Sequence, residues 1–402
     1  MQKMIKYSFL LALLTAFLLS CERDISSEQA DSFVKFYASS LVDQAGDVEV
    51  LANGAYAICG TENSPSGGKR MVLIVTDKFG NVQSGFPKYY TEEGFETGGS
   101  SLIALQDGSG GFFLSGFVER PVTGSQSVQK DIFLVRTSAS GEVLWQRSYG
   151  SQEDELILHA IETIRPGFML AGSQVKNGKS DILIMSVTEE GDSIELGLNY
   201  SNPNAENATA TFLLNTGDTY LCVCTYDKFN NAGTGIQILS FNDALSPFVK
   251  TLSGGQDEYG NCILEVENGQ FVVLGNRVNG DGDSEMLLYG IETEGLLIRN
   301  SSLLATISEQ NVDLTGRRIV EAGNGTMTIA GTRRINEDSE ILLQFVSSSF
   351  AVEELVSYGA SGTQTGNDIE LSKDGGFIVL GTNSYGQSSM ISLMKTSVTG
   401  SL

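Results

Sequence analysis

Gly375-Gly376-Phe377-Ile378-Val379-Leu380-Gly381 is the stretch on which the reading of this chain turns, because six other versions of it occur in the 402 residues. They are Ala55-Tyr56-Ala57-Ile58-Cys59-Gly60, Gly111-Phe112-Phe113-Leu114-Ser115-Gly116, Gly167-Phe168-Met169-Leu170-Ala171-Gly172, Thr219-Tyr220-Leu221-Cys222-Val223-Cys224, Gln270-Phe271-Val272-Val273-Leu274-Gly275 and Thr326-Met327-Thr328-Ile329-Ala330-Gly331. Their last residues fall at 60, 116, 172, 224, 275, 331 and 381, in steps of 56, 56, 52, 51, 56 and 50. A period near 50 marks an array of equivalent structural units. Each copy is a short apolar run without polar alternation, as a strand buried on both faces requires, and it is too short for an ordinary helix. The closing glycine marks a bend or a place where another backbone comes close.

Each period holds four such runs. In the third they fall at 156–163, 167–174, 181–187 and 193–200, the last two separated by the turn Glu189-Glu190-Gly191-Asp192. The third run of the unit recurs as Met71-Val72-Leu73-Ile74-Val75 and, near the end of the chain, as Met390-Ile391-Ser392-Leu393-Met394. Seven copies of four strands predict an all-β fold, a seven-bladed β-propeller of four-stranded blades. The last repeat stops after its third strand. The missing strand stands at the other end as Phe33-Val34-Lys35-Phe36-Tyr37, which resembles the fourth-strand segment Phe248-Val249-Lys250-Thr251-Leu252. It is expected to pair with 390–395 and complete the last blade, leaving no long unpaired edge. With only six prolines in the chain and no linker between repeats, 33–402 reads as one domain.

Residues 1–20 carry Lys3 and Lys6 and an apolar run from Phe9 to Leu19 broken only by Thr15, the pattern of a signal peptide and too short to span a bilayer. Leu18-Leu19-Ser20-Cys21 resembles the lipobox of bacterial lipoproteins, which implies acylation of Cys21 and attachment to a membrane through that lipid. Residues 21–32 are polar and read as a flexible tether. Their opening Glu22-Arg23-Asp24 is similar to the surface-export signals of Bacteroidota lipoproteins, implying the bacterial outer membrane and its external face. Loss of residues 1–20 moves the formal charge from −24 to about −26. Such a charge argues against binding nucleic acid or anionic lipid through a basic patch.

As a whole the repeats resemble the propeller-type lipoproteins of Bacteroidota. The resemblance rests on Gly375 to Gly381, on Ser180-Asp181-Ile182-Leu183 and on Gly141-Glu142-Val143-Leu144-Trp145-Gln146-Arg147-Ser148-Tyr149-Gly150. It implies a fold class and an address, and no catalytic residue. The chain departs from the pattern at Cys224, which replaces a closing glycine, and in the sixth repeat, whose second strand lacks an aromatic.

Chemistry is sparse in the sequence. His159, the only histidine, lies in an apolar first strand and reads as a core or channel-lining residue, with no nucleophile motif beside it. Cys59, Cys222, Cys224 and Cys262 lack metal-ligand spacing and read as buried thiols, with a bridge between blades as the alternative. The loop with Asn279, Asp281, Asp283 and Glu285 has oxygen ligands at alternate positions, like the first half of a calcium loop, but Gly290 stands where the bidentate glutamate belongs. A solvated turn competes with structural calcium there, and no other cofactor is expected. The loops entering the first strands carry Glu92, Glu93, Glu96, Glu153, Asp154, Glu155, Asp257, Glu258, Glu309 and Asp313, a candidate acidic docking face for a cationic ligand or partner. The expected function is therefore a lipid-anchored, non-catalytic binding or scaffold module, serving an envelope protein partner or an extracellular ligand. The alternative is a glycan-active hydrolase or lyase using channel carboxylates, with Glu265 and Glu267 or Asp368 and Glu370 as the pairs.

Overall fold

Every regular element among the described residues is a β-strand, as short runs of Ile, Val, Leu and Phe between Gly and Asn turns require. The computed structural model describes residues 32–402 apart from 38–41, 123, 125–126, 201–204, 229–231, 243–245, 253–256, 268, 324 and 360–361. The expected signal peptide, Cys21 and the tether up to residue 31 lie outside the described residues.

Consecutive strands pair antiparallel in sets of four. The first set is Gln44–Val50, Tyr56–Asn63, Lys69–Val75 and Lys88–Tyr90, and four more of the same order begin at Glu96, Glu155, Ala205 and Glu258. The remaining strands form one eight-stranded sheet that consists of two such sets, beginning at Asp313 and Thr363, joined by the single parallel pair Ser339 and Thr363. In the last set the fourth place is taken by Phe33–Tyr37. It runs antiparallel to Ser388–Thr396, from Phe33 opposite Lys395 to Tyr37 opposite Ile391, the pairing expected from the sequence.

The first strands of successive sets are neighbours in space, and Thr363–Leu371 of the last set neighbours Gln44–Val50 of the first. Apolar clusters fill the junctions between sets. One of them joins Ile378, Leu380, Ile391 and Leu393 of the last set to Val48, Ile58 and Ile74 of the first. The second strands are buried on both faces: Phe377, Ile378, Val379 and Leu380 are each 1% exposed or less.

The closing small residue of each second strand has a defined task. Gly60, Gly116, Gly172, Cys224, Gly275, Gly331 and Gly381 sit opposite Ala45, Gly99, Ile157, Ala210, Gly260, Gly316 and Gly366, and after each of those partners the first strand carries a β-bulge. A Cβ on Gly172 would lie 1.7 Å from the Leu156 carbonyl oxygen, and one on Gly331 would lie 1.9 Å from that of Thr315. The small residue leaves room for the bulged strand to swing over it.

Gly172→Ala is therefore expected to lower stability by about 3 kcal/mol, the range of strained backbone substitutions. Gly280→Ala, where an added Cβ meets nothing within 4 Å, is expected to be neutral or slightly stabilising. Urea unfolding midpoints of the two variants check the contrast, and equal midpoints would contradict it.

Candidate functional site

A bulge lets two consecutive side chains leave the strand on the same side. The extra residues of the first strands are Gly46, Ser100, Leu158, Thr211, Asn261, Arg317 and Asn367, and all of them line one cavity of about 230 Å³. A second cavity of about 390 Å³ is walled by residues just after the bulges and by the strand ends beyond them, including Asp47, Glu49, His159, Glu162, Asp368 and Glu370. Arg318 belongs to both.

The residues immediately after the bulges tie the first strands to one another. Asp368 accepts the Val48 N–H at 3.1 Å, Asp47 the Leu102 N–H at 2.8 Å, Ser101 the Ala160 N–H at 3.2 Å and His159 Nδ1 the Leu213 N–H at 3.2 Å. Cys262 receives the Ile319 N–H in the same manner. In each case the acceptor follows one bulge and the donor lies one residue further along the neighbouring strand. Arg318 donates from Nε to Asp368 at 3.2 Å, and its guanidinium lies 4.5 Å over the Phe212 ring, which stacks on His159. Ser101 Oγ adds a hydrogen bond to Asp47 at 3.0 Å.

Burial and these neighbours set the protonation states. His159 is pushed down to about 3 by burial and then by the Arg318 charge, so it stays neutral, and with Nδ1 accepting it presents Nε2–H as a donor. Burial works to raise Asp47, but its hydrogen bond to Asp368 and the charge of Arg318 hold it below the usual carboxylate range. Burial and then the Asp47 charge push Asp368 well up, against the pull of Arg318. The pair thus holds one proton on its Asp368 side.

Two residues further along the same strands, Glu49 and Glu370 face the second cavity and are only partly buried. Burial, then Asp47, then Glu370 raise Glu49 well above an ordinary glutamate. Burial and then the Asp47 charge raise Glu370 to about 7. A solvent-reachable carboxyl that titrates near neutrality can give or take a proton at physiological pH.

The residues singled out from the sequence are distributed as follows. Asp368 and Glu370 enter the cavity together, whereas Glu265 and Glu267 are not among its lining residues. His159 lines the cavity, as expected, and the four described cysteines are buried and free, with no bridge between blades. Most of the acidic loop residues join one set to the next or pair within a set. Asp154, Asp257 and Asp313 accept the Lys130, Thr234 and Ser284 N–H groups of the preceding set at 2.7, 2.9 and 2.7 Å. Glu92 pairs with Arg120, Glu96 with Lys69, and Glu309 with Arg333. Glu155 is buried and accepts from Ser151 N–H and Gln174, and Glu258 is buried against the Tyr289 hydroxyl. Glu153 has a buried Oε2, and Glu93 is exposed.

The residues of the candidate calcium loop make local contacts. Asn279 Oδ1 caps its own turn by accepting the Asp281 and Asp283 N–H groups, Asp283 accepts the Asn311 N–H, and Glu285 turns inward to Arg277. Among the described residues no group of three or more His, Cys, Asp or Glu side chains is placed to hold a metal ion.

Sequence reading missed Asp47, Glu49, Arg317 and Arg318. A signal for three of them was present: the residue thirteen positions before the closing glycine is Asp47, His159, Cys262, Arg318 and Asp368 in five of the repeats, and these are the residues that follow the bulges. Asp47-Val48-Glu49 and Asp368-Ile369-Glu370 are then the same element written twice.

No protein-family model and no curated protein matches the sequence. Solved structures do match in fold. An ulvan lyase, described as a polysaccharide lyase of a new family and bound to -[GlcA(1-4)Rha3S]-, has a TM-score of 0.63 at 9% identity, over 90% of this chain and 95% of that one. The same enzyme without that description of a bound ligand has a TM-score of 0.61 at 9% identity, over 90% and 96% of the two chains. A puromycin-hydrolyzing peptidase of Mycobacterium tuberculosis has a TM-score of 0.53 at 11% identity, over 89% of this chain and 51% of that one. At these identities the likeness is one of fold: a propeller-like, all-β architecture of four-stranded antiparallel sheets. The expectation of a non-catalytic binding or scaffold module is overturned, because the polysaccharide lyase that shares this architecture and the central acids both favour the glycan-active alternative.

Glu370 generates a stability test. An unfolded glutamate loses its proton near 4.5, whereas folded Glu370 keeps its proton up to about 7. The native state holds the extra proton between those values, so the stability contributed by Glu370 is present below about pH 4.5 and is lost as pH rises through 7. Glu370→Gln removes that loss. The variant is expected to gain on the native protein as pH is raised from 4.5 to 8, measured by urea midpoints, and a difference independent of pH would contradict the assignment.

Proposed function

We propose that this chain is a glycan-active enzyme that breaks a glycosidic bond in the central cavity of a seven-bladed β-propeller, with Glu49, which the Glu370 charge helps to keep protonated, giving the proton and Glu370, which ionises near 7, as the second carboxyl. The observation that carries the reading is the pair itself: two partly buried glutamates, on the first strands of neighbouring sets, both raised in pKa and facing one concavity. Cleavage of a glycosidic bond needs a carboxyl that is still protonated at working pH beside a second group that can be ionised, and environments of this kind separate the two roles. The neutral His159 Nε2–H and the Arg318 guanidinium add donors to the same wall. Burial and the Asp47 charge raise the glutamates, while the oxygens of Asp47 and Asp368 hold backbone N–H groups. The fold shared with a polysaccharide lyase supports the class of substrate. The cyclic order of the first strands and the closing strand Phe33–Tyr37 support the seven-bladed count. The lipobox-like Leu18-Leu19-Ser20-Cys21 supports a lipid anchor on the bacterial outer membrane, with the cavity presented to extracellular polysaccharide.

The test is a panel of acidic and neutral polysaccharides incubated with the purified chain, reading new reducing ends and, for elimination, the absorbance of unsaturated uronate. Activity is expected to rise as pH rises through about 7, where Glu370 loses its proton while Glu49 keeps its own. Glu370→Gln is expected to lose on the order of 10²-fold to 10⁴-fold in rate. A variant as active as the native protein would sink the assignment of Glu370, and no cleavage of any member of the panel would sink the enzymatic reading.

A further inference from the structure

The smaller cavity, on the bulge side of Arg318, has a character unlike the rest of the molecule. The chain carries a formal charge of −24, yet no Asp or Glu lines this hollow. Its polar wall consists of donors: the Arg317 and Arg318 guanidinium groups, the amides of Gln44, Asn261 and Asn367, and hydroxyls such as Thr211. Arg318 is committed to Asp368. Arg317 is solvent-exposed where it lines this hollow and makes no hydrogen bond or ion pair with any described residue. Asn261 Nδ2, from the neighbouring set, is buried without a partner. An unpaired buried donor such as Asn261 Nδ2 is costly, and interiors rarely keep one without a ligand or water to accept. Arg317 and Arg318 are consecutive and both line the hollow, so an anion arriving there would relieve two like charges side by side.

We propose that this cavity is an oxyanion subsite in which Arg317, with the Asn261 amide, holds a carboxylate or sulfate ester of the polysaccharide. The proposal rests on the glycan-cleaving reading above and names its substrate class, an anionic glycan. A guanidinium presents paired N–H donors that match two oxygens of either group, and an amide N–H₂ can take a further oxygen. At about 230 Å³ the hollow admits such a group in place of several waters. Because Arg318 walls both cavities, the charged group of a sugar is held on one side of it while the glutamates work on the other.

The experiment titrates sodium sulfate and sodium glucuronate separately into the purified protein, with chloride balancing ionic strength, and follows heat of binding and the thermal unfolding midpoint. Saturable binding of at least one of the two anions is expected, and comparison of the two says whether sulfate ester or carboxylate is the favoured group. Arg317→Gln is expected to weaken it at least tenfold, and exposed Arg334→Gln to leave it unchanged. Asn261→Asp keeps Arg317 but puts a carboxylate in the cavity, and it is expected to abolish binding even if Arg317→Gln fails to fold. No saturable binding of either anion, or binding that survives both cavity substitutions, would overturn the subsite. Anion binding in a native protein that cleaves nothing in the polysaccharide panel would overturn the catalytic reading and leave the subsite standing. Equal cleavage of anionic and neutral polysaccharides by the native protein and by Arg317→Gln would overturn the subsite alone.

Discussion

The structure depends on a steric exchange between two strands. The second strand of each set carries, midway along it, a residue with little or no side chain, and the first strand bulges over it. Without the bulge, successive side chains would alternate across the strand, and neither Arg317 with Arg318 nor Asn367 with Asp368 could reach the same interior. Where the small residue is glycine, a Cβ would crowd the bulged strand: one at Gly116 would lie 1.9 Å from the Gly98 carbonyl oxygen. The fourth set tolerates Cys224, opposite Ala210, and its bulge is kept.

From that exchange follows a seam around the first strands. After five of the bulges the side chain, Asp47, Ser101, His159, Cys262 or Asp368, accepts a backbone N–H of the next set, while Arg318 donates to the Asp368 carboxylate. The seam is thus a structural joint whose chemistry varies around it. Where it consists of Asp47, Asp368 and Arg318 it is charged, and the buried field of Asp47 raises Glu49 and Glu370 just beyond. Where it consists of Phe212 it is apolar, and the ring serves as a platform for His159 and Arg318. Acid function and anion-holding function come from adjacent positions on the same strands, one on each side of the bulge.

Much of this was legible in the sequence. The period, the double-sided burial of Phe377 to Leu380, the close approach at the closing glycines and the return of Phe33–Tyr37 to the last set all follow from local pattern. Asp368 and Glu370 were visible as a pair because their spacing of two puts them on one strand face. The bulge was not visible, since one extra residue changes which face a side chain takes without altering composition or period. Arg317 and Arg318 therefore read as strand residues, and Asp47 and Glu49 were not recognised as the counterpart of Asp368 and Glu370. The loop acids show another limit of the sequence: a carboxylate looks free there, while Asp154, Asp257 and Asp313 accept N–H groups from strands two elements away, which no short-range pattern records.

The central claim is that a carboxyl lining the cavity titrates near neutrality because of its burial and of the charged seam behind it. Carbon-13 NMR of the glutamate side-chain carboxyls, assigned through Glu370→Gln and Glu49→Gln and followed from pH 3 to 9, tests it most directly. The account predicts a Glu370 midpoint near 7 that falls when Asp47→Asn removes the neighbouring charge. A Glu370 carboxyl that titrates with the exposed glutamates, or is indifferent to Asp47, would contradict it.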